Sequence, residues 1–200
     1  MNIVPLAKNE EPMAVELFSA AFHDDPVMNW LCDKPGFLQA FFKLMIPVYR
    51  VHNLSYKDED ARGGAVWLGP GGKLKWRITA GNVFNMMRIV GFRGVIRLLQ
   101  SGSKMEKLHP KKPHYYLFLI GARPEYAGQG VGSALMSQML RRCDAENMPA
   151  YLENSKRENL RFYQGHGFKV MEEIKFAKNA PSLWLMWREP NSQPIANPTL

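Results

Sequence analysis

The stretch RPEYAGQGVGSALM, residues 123–136, places glycine at three of five successive positions just before an apolar helical pattern begins. These glycines, Gly128, Gly130 and Gly132, each cost backbone entropy on folding. Their clustering therefore indicates a use for bare backbone N–H groups at this point. The first N–H groups of a helix lack intrahelical partners, and the helix dipole adds a partial positive charge. The stretch predicts a site for a phosphate-bearing ligand, the alternative being a glycine turn that only reverses the chain.

The sequence around this stretch predicts strands alternating with helices. A continuous apolar run from His114 to Ala122 is typical of a central strand buried on both faces. Apolar residues at helical spacing predict a helix from about Gly130 to Glu146. Further strands are expected at residues 2–7, 63–72, 149–153, 168–176 and 182–188. Further helices are expected at residues 10–22, after Pro35, twice within 74–100, and at 156–167.

The dinucleotide fingerprint GxGxxG is the main competing interpretation of the glycines. Gly128 and Gly130 match its first two positions, but Ser133 occupies the third. Five residues separate the predicted strand from the first glycine, where the fingerprint requires almost none. The remaining chain is also too short for the second half of a doubly wound sheet. A Rossmann-type domain is therefore excluded.

Two motifs together resemble the GNAT superfamily of N-acetyltransferases. RPEYAGQGVGSALM resembles its acetyl-CoA-binding motif, Q/R-x-x-G-x-G/A, with Gly130 and Gly132 at the two motif glycines. YLENSKRENLRFYQGHGFKV resembles the motif that follows, and the two cover about residues 117–170. The resemblance implies an α/β (α+β) fold with a mixed, mostly antiparallel central sheet flanked by helices. One departure is Ala127, which stands where the motif normally has Gln or Arg.

The resemblance also implies where acetyl-CoA binds. Its pantetheine arm is expected along the central strand, and its pyrophosphate on the glycine turn and the start of the following helix. No metal is expected. The cofactor-binding residues implied in this way are Leu119, Ile120, Gly121, Ala122, Gly128, Gln129, Gly130, Val131, Gly132, Ser133 and Asn159.

Tyr163 and Glu153 are the candidate catalytic residues. Tyr163 matches the family's tyrosine that protonates the leaving thiolate. Alternatively, Tyr163 has only a structural role and packs beside Phe162 and Phe168. Glu153, at a strand end, could accept the amine's proton, bind a cationic substrate or cap the next turn. The expected reaction is transfer of an acetyl group to a primary amine by direct attack in a ternary complex. The alternative function is a non-catalytic acyl-CoA-binding sensor or regulatory module.

The polar residues at 23–25 and His166 each have a structural explanation as well as a functional one. The sequence His23-Asp24-Asp25 ends a predicted helix, on a loop that borders the acceptor site in this family. A solvated turn explains it as well. His166, next to Gly167, is expected at a helix end.

The net charge of +8 lies in one segment. Residues 73–112 carry ten Lys or Arg and one acid, a net charge of +9, so the remainder is close to neutral. This basic helical insertion could steer the cofactor's phosphates, and its Met and Phe residues are expected in the core or lining a pocket. Binding to a membrane surface or to nucleic acid through this segment is the weaker alternative.

The remaining composition is that of an ordinary soluble protein. The sequence has no apolar run long enough to span a membrane and no signal-peptide pattern. Cys32 and Cys143 are isolated, which favours the reducing cytoplasm. We expect one domain over residues 1–189 and a proline-containing tail over residues 190–200. The expected partner is a small-molecule or peptide amine and not nucleic acid, and the sequence leaves a homodimer open.

Overall fold

The computed structural model describes residues 1–50, 53–72 and 79–191. The strands in these ranges are β1 (Ile3–Pro5), β2 (Ser55–Asp58), β3 (Gly63–Leu68), β4 (Tyr115–Ala122), β5 (Ala150–Asn154), β6 (Lys169–Lys175) and β7 (Ser182–Arg188). The helices are α1 (Glu11–Ala21), α2 (Pro26–Leu31), α3 (Phe37–Tyr49), α4 (Ala80–Leu108), α5 (Val131–Ala145) and α6 (Leu160–Gly165). The first residues of the predicted basic insertion, 73–78, and most of the predicted tail, 192–200, lie outside the described residues.

The strands form one sheet in the order β1-β2-β3-β4-β5-β7-β6. Every neighbouring pair is antiparallel except β4 and β5, which are parallel. A parallel pair requires a crossover connection, and α5 supplies it. The predicted fold class, a mixed and mostly antiparallel sheet flanked by helices, is confirmed.

Helices cover both faces of this sheet and bury two apolar clusters. One cluster joins the sheet to α1, α2, α3 and α4, with Phe18, Phe42 and Ile46 almost fully buried. The other joins the opposite face to α5 and α6, with Leu135 and Met139 inaccessible or nearly so. The strand β4 therefore lies at the centre of the molecule, as its apolar run predicts.

The helix α4 confirms two helical segments in the insertion, because it breaks at Gly91, whose φ of +68° is left-handed. Its Met86 and Val90 are buried in the first cluster. Other large apolar side chains of the helix, Phe84 and Phe92 among them, are more than 60% exposed. The expectation that the Met and Phe residues of this segment lie in the core or line a pocket is thus wrong for the exposed ones. Their helical faces turn away from α2 and α3.

No helix within the described ranges combines the length and the apolar character that crossing a membrane would take.

Candidate functional site

The parallel strands β4 and β5 separate and leave an open edge. Their pairing runs from Tyr115 opposite Ala150 to Leu117 opposite Leu152 and then ends. The strand β4 continues to Ala122 while it stays paired with β3 on its other side. Its last residues thus present an unpaired backbone edge toward a cleft of about 560 Å³. Such an edge can hydrogen-bond an extended ligand in the manner of an added strand.

A β-bulge in β4 lies at the point where the two strands part. Leu119 pairs with Val66 of β3 and Leu117 with Trp67, so Phe118 is the extra residue. The bulge reverses the inward and outward alternation of the side chains. As a result, Leu117 belongs to the cluster under α5 whereas Leu119 belongs to the opposite one. Phe118 lines the cleft and stacks on the ring of Tyr49, with centroids 3.6 Å apart.

The glycine turn forms one end of the same cleft. Gly128 and Gly130 have φ values of +76° and +80°, and added Cβ atoms there would meet no neighbour within 4 Å. Gly130 is the N-cap of α5 and has no side chain to cap the first N–H groups of the helix. The first of these with a backbone acceptor is the N–H of Ala134, which donates to Gly130 O. The turn thus offers bare N–H groups and space to an anion.

Tyr163 reaches the cleft from α6, although only 7% of the residue is exposed. Burial raises the pKa of its hydroxyl far above the ordinary value, and the negative charge of Asp25 adds to the effect. The hydroxyl therefore stays protonated at physiological pH and can act as a proton donor. Asn159, one turn earlier, lines the same cleft.

Glu153 lines the cleft from the end of β5, and only 12% of its side chain is exposed. Its Oε2 accepts a hydrogen bond of 2.6 Å from the Tyr116 hydroxyl. Burial, together with the charge of Glu153, raises the pKa of Tyr116 well above its ordinary value, so this donor remains protonated. The Tyr116 hydroxyl thus holds Oε2 in place, and Oε1 can accept a hydrogen bond from a ligand.

The loop between α1 and α2 closes one side of the cleft with His23, Asp24 and Asp25. Asp25 is 2% exposed, caps α2 through the N–H groups of Val27 and Met28, and accepts a hydrogen bond from Ser155. Burial raises the pKa of this carboxyl, although its hydrogen bonds oppose the shift. The solvated-turn explanation is therefore wrong for Asp25, which joins the loop to the residues after β5.

The structure brings most of the predicted site residues together around this cleft. Leu119 and Gln129 are not among the lining residues. Leu119 is buried in the core, and the Gln129 side chain donates to Glu125 O. The predicted residues that line the cleft are Ile120, Gly121, Ala122, Gly128, Gly130, Val131, Gly132, Ser133, Glu153, Asn159 and Tyr163.

Several residues of this site have no clear signal in the sequence. The bulge at Phe118 leaves no mark in an apolar run, because the run is continuous through it. The contact between Asp25 and Ser155 joins residues 130 positions apart. His109 contacts Glu153, with Nδ1 3.8 Å from Oε1. Its only sequence signal is a pair of histidines on either side of Pro110-Lys111-Lys112-Pro113.

Comparison with known families shows where this architecture recurs. The sequence profile of the acetyltransferase (GNAT) family matches residues 77–168. An uncharacterized N-acetyltransferase of Schizosaccharomyces pombe is 26% identical over 205 residues, covering 94% of this chain and 82% of that protein.

Two solved structures share the fold over nearly their whole length. A histone acetyltransferase HPA2 and related acetyltransferase from Corynebacterium glutamicum superposes with a TM-score of 0.69 at 23% identity, covering 97% of this chain and 98% of that one. Arylalkylamine N-acetyltransferase 2 from Aedes aegypti superposes with a TM-score of 0.68 at 11% identity, covering 95% and 99%. At these identities the likeness is one of fold.

Proposed function

Because this chain belongs to the GNAT superfamily of acetyltransferases, we propose that it transfers an acetyl group from acetyl-CoA to a primary amine by direct attack in a ternary complex. The observation that carries the proposal is a single cleft. It joins the start of α5 to the open edge of β4 and is lined by both Tyr163 and Glu153.

The cleft offers acetyl-CoA two kinds of contact. Its pyrophosphate would bind N–H groups between Gly128 and Ser133, apart from that of Gln129, which already donates to Tyr126 O. The dipole of α5 favours negative charge there. Its pantetheine arm would hydrogen-bond the unpaired edge of β4. Ala127 also lines the cleft. Its short side chain leaves this part of the proposed site to backbone groups.

The chemistry needs a proton donor and a proton acceptor on either side of the thioester. Tyr163 would protonate the departing thiolate, because it lines the cleft and the raised pKa of its hydroxyl keeps that group protonated before the reaction. Glu153 would take the proton that the amine loses. Direct transfer is supported by the cysteines, because neither lines the cleft and burial raises the pKa of the Cys143 thiol to about 12.

The acceptor side of the cleft combines carboxylates with aromatic rings. Asp24, Asp25 and Glu153 line it together with Phe22 and Phe118, and the Lys156 ammonium, also in the lining, pairs with Asp24. Glu153 and the rings suit a cationic amine with an apolar body, and the structural neighbours include an arylalkylamine acetyltransferase. We propose a small-molecule or peptide amine as acceptor, bound within one acetyltransferase domain over residues 1–189.

Calorimetric titration with acetyl-CoA, followed by thiol release against arylalkylamines, polyamines and peptide amino termini, tests the proposal. We expect micromolar binding, which corresponds to about −8 kcal/mol, and thiol release that depends on one class of amine. The Glu153→Gln variant should keep the binding and lose the turnover. Absence of acetyl-CoA binding would contradict the proposal. Binding with no turnover on any amine would favour a non-catalytic acyl-CoA sensor.

A further inference from the structure

A pair of histidines lies behind Glu153 and outside the cleft lining. His109 is the C-cap of α4, and His114 precedes β4. Their Nε2 atoms are 3.1 Å apart. The Nδ1 of His114 is 2.7 Å from Lys112 O, and the Nδ1 of His109 is 3.8 Å from Glu153 Oε1. Glu153 therefore connects the cleft to a chain of two imidazole rings.

The contacts of this chain fix where its hydrogens lie. Lys112 O only accepts, so the His114 Nδ1 carries a hydrogen and donates it. The Nε2 of a neutral His114 is then a bare acceptor, and His109 must donate to it from its own Nε2. Burial lowers the pKa of His114 and keeps that ring neutral. A neutral His109 is thus left with a bare Nδ1 that faces Glu153 Oε1 at 3.8 Å, and the two atoms must approach to hydrogen-bond distance before a proton can bridge them.

The two tyrosines that contact His109 stay uncharged. The rings of Tyr116 and Tyr151 contact His109 edge-on, with centroids 4.9 Å and 5.0 Å away. Burial raises the pKa of both tyrosines far above physiological pH. The Lys112 ammonium pairs with Glu189 instead. Among the described residues that contact His109, Glu153 is then the charged partner, and its Oε1 faces Nδ1.

We propose that His109, oriented by His114, receives the amine's proton from Glu153, an inference that rests on the proposed acetyl transfer. The ammonium N–H breaks as an O–H forms on Glu153. That O–H then breaks as an N–H forms at His109 Nδ1. The His109 side chain is 33% exposed, so the imidazolium can release the proton to water. Glu153 returns to its ionised form for the next turnover.

An imidazole in this position matches the proton better than a carboxylate alone. A carboxyl group ordinarily ionises near pH 4.3 and an imidazolium near 6.5, whereas the ammonium of an alkylamine resembles that of lysine, near 10.4. Proton transfer is most efficient when the acceptor is poised near the working pH. His109 is thus a positioning residue that acts through Glu153 and not one that touches the acceptor.

The pH profile of kcat/KM for the amine tests the inference in the His109→Gln variant. Glutamine can still donate to His114 but cannot hold the transferred proton. We expect kcat/KM at pH 7 to fall by about 100-fold, with acetyl-CoA affinity unchanged. The acid limb of the profile should move toward lower pH, because a carboxylate is then the proton acceptor that remains. The same amine is used throughout, so its own ionisation cancels in the comparison.

The control is His166→Gln. His166 also contacts a backbone carbonyl through Nδ1, that of Phe162, but it does not line the cleft. This variant should reproduce the parent profile. An active enzyme whose His109→Gln variant keeps the parent acid limb would overturn the inference and leave the proposed function standing. A parent enzyme that binds acetyl-CoA but acetylates no amine would overturn both.

Histidine ¹⁵N spectra give a readout that does not depend on turnover. The neutral rings should appear as the Nδ1–H tautomer for His114 and the Nε2–H tautomer for His109. A neutral His109 with its hydrogen on Nδ1 would overturn the inference.

Discussion

Tyr163 shows how one buried hydroxyl can be prepared for proton donation. It lies on α6 at the wall of the cleft, with 7% of the residue exposed. Desolvation penalises its phenolate form, and Asp25 adds a negative charge that has the same effect. The hydroxyl of a tyrosine in this setting stays protonated at neutral pH and is therefore available as a proton donor. The same residue also packs edge-on against Phe162 and Phe168, so its packing and its proposed chemistry coexist.

The Tyr163→Phe variant separates these two roles. We expect kcat to fall by about 100-fold or more, because the thiolate loses its proton donor. The phenyl ring keeps the packing, so the free energy of unfolding and the acetyl-CoA affinity should hardly change. Tyr56→Phe is the matched control, since Tyr56 lies on β2 outside the cleft lining. Unchanged turnover in Tyr163→Phe would remove this residue from the mechanism.

At the scale of elements, two helices of this protein have the same kind of N-cap, but the surroundings of the two N-caps differ. Both α3 and α5 have a glycine N-cap at φ +80°, Gly36 and Gly130, and in both cases an added Cβ would meet nothing within 4 Å. Gly36 is exposed, whereas Gly130 lines the cleft. Alanine variants of these two glycines therefore separate two effects: the loss of stability from a Cβ in a left-handed conformation, and the loss of ligand binding at the cleft.

Replacing either glycine by alanine should reduce the free energy of unfolding by about 1–2 kcal/mol, because a Cβ is strained in this conformation. Only Gly130→Ala should also weaken acetyl-CoA binding, since it tilts the N–H groups proposed to hold the phosphates. Chemical denaturation and calorimetry measure the two effects. Equal acetyl-CoA affinity in Gly36→Ala and Gly130→Ala would contradict the proposed phosphate site.

At the scale of the whole molecule, one ion pair joins two helices and the end of the described chain to the sheet. Arg188 on β7 is buried and donates two hydrogen bonds to Asp144 of α5, at 2.7 Å and 2.9 Å, and a third to His166 O. Asp144 also accepts from the Asn191 N–H. Burial alone would raise the pKa of Asp144, but these bonds outweigh it and lower the pKa on balance. The pair joins α5, α6 and the end of the described chain.

Asp144→Asn should reduce the free energy of unfolding by about 3 kcal/mol, because it leaves the buried Arg188 without its counterion. Asp60→Asn is the control and should cost at most about 0.5 kcal/mol, since Asp60 is an exposed partner of Arg62. Denaturant midpoints at pH 7 measure both. A loss in Asp144→Asn no larger than in Asp60→Asn would show that the pair does not stabilise the fold.

The pH dependence of stability has a definite sign for this pair. A carboxyl whose pKa is lowered by folding stabilises the protein above its unfolded value, near 3.8 for Asp144. That contribution is lost as the pH falls through the lowered folded value. The parent should therefore lose more stability than Asp144→Asn when denaturant midpoints are compared between neutral and acidic pH. Parallel losses in the two proteins would contradict this assignment.

The sequence determined the parts of this protein that depend on local pattern. The glycines at 128–132, the apolar run that became β4 and the helical spacing of α5 predict a strand, a glycine turn and a helix in the correct order. The motif at residues 151–170 adds Glu153 and Tyr163, and both line the cleft. These features are readable because backbone conformation and amphipathic period are properties of neighbouring residues.

Which side chains lie on each side of the central strand depends on tertiary packing and could not be predicted from the sequence. The bulge at Phe118 and the end of pairing after Leu117 depend on β3 and β5, and neither has a local signal. The same holds for Asp25 beside Ser155 and for His109 behind Glu153, which are brought together across 130 and 44 positions. Such contacts follow from how helices pack on a sheet, and packing joins residues by the faces they share and not by their distance along the chain.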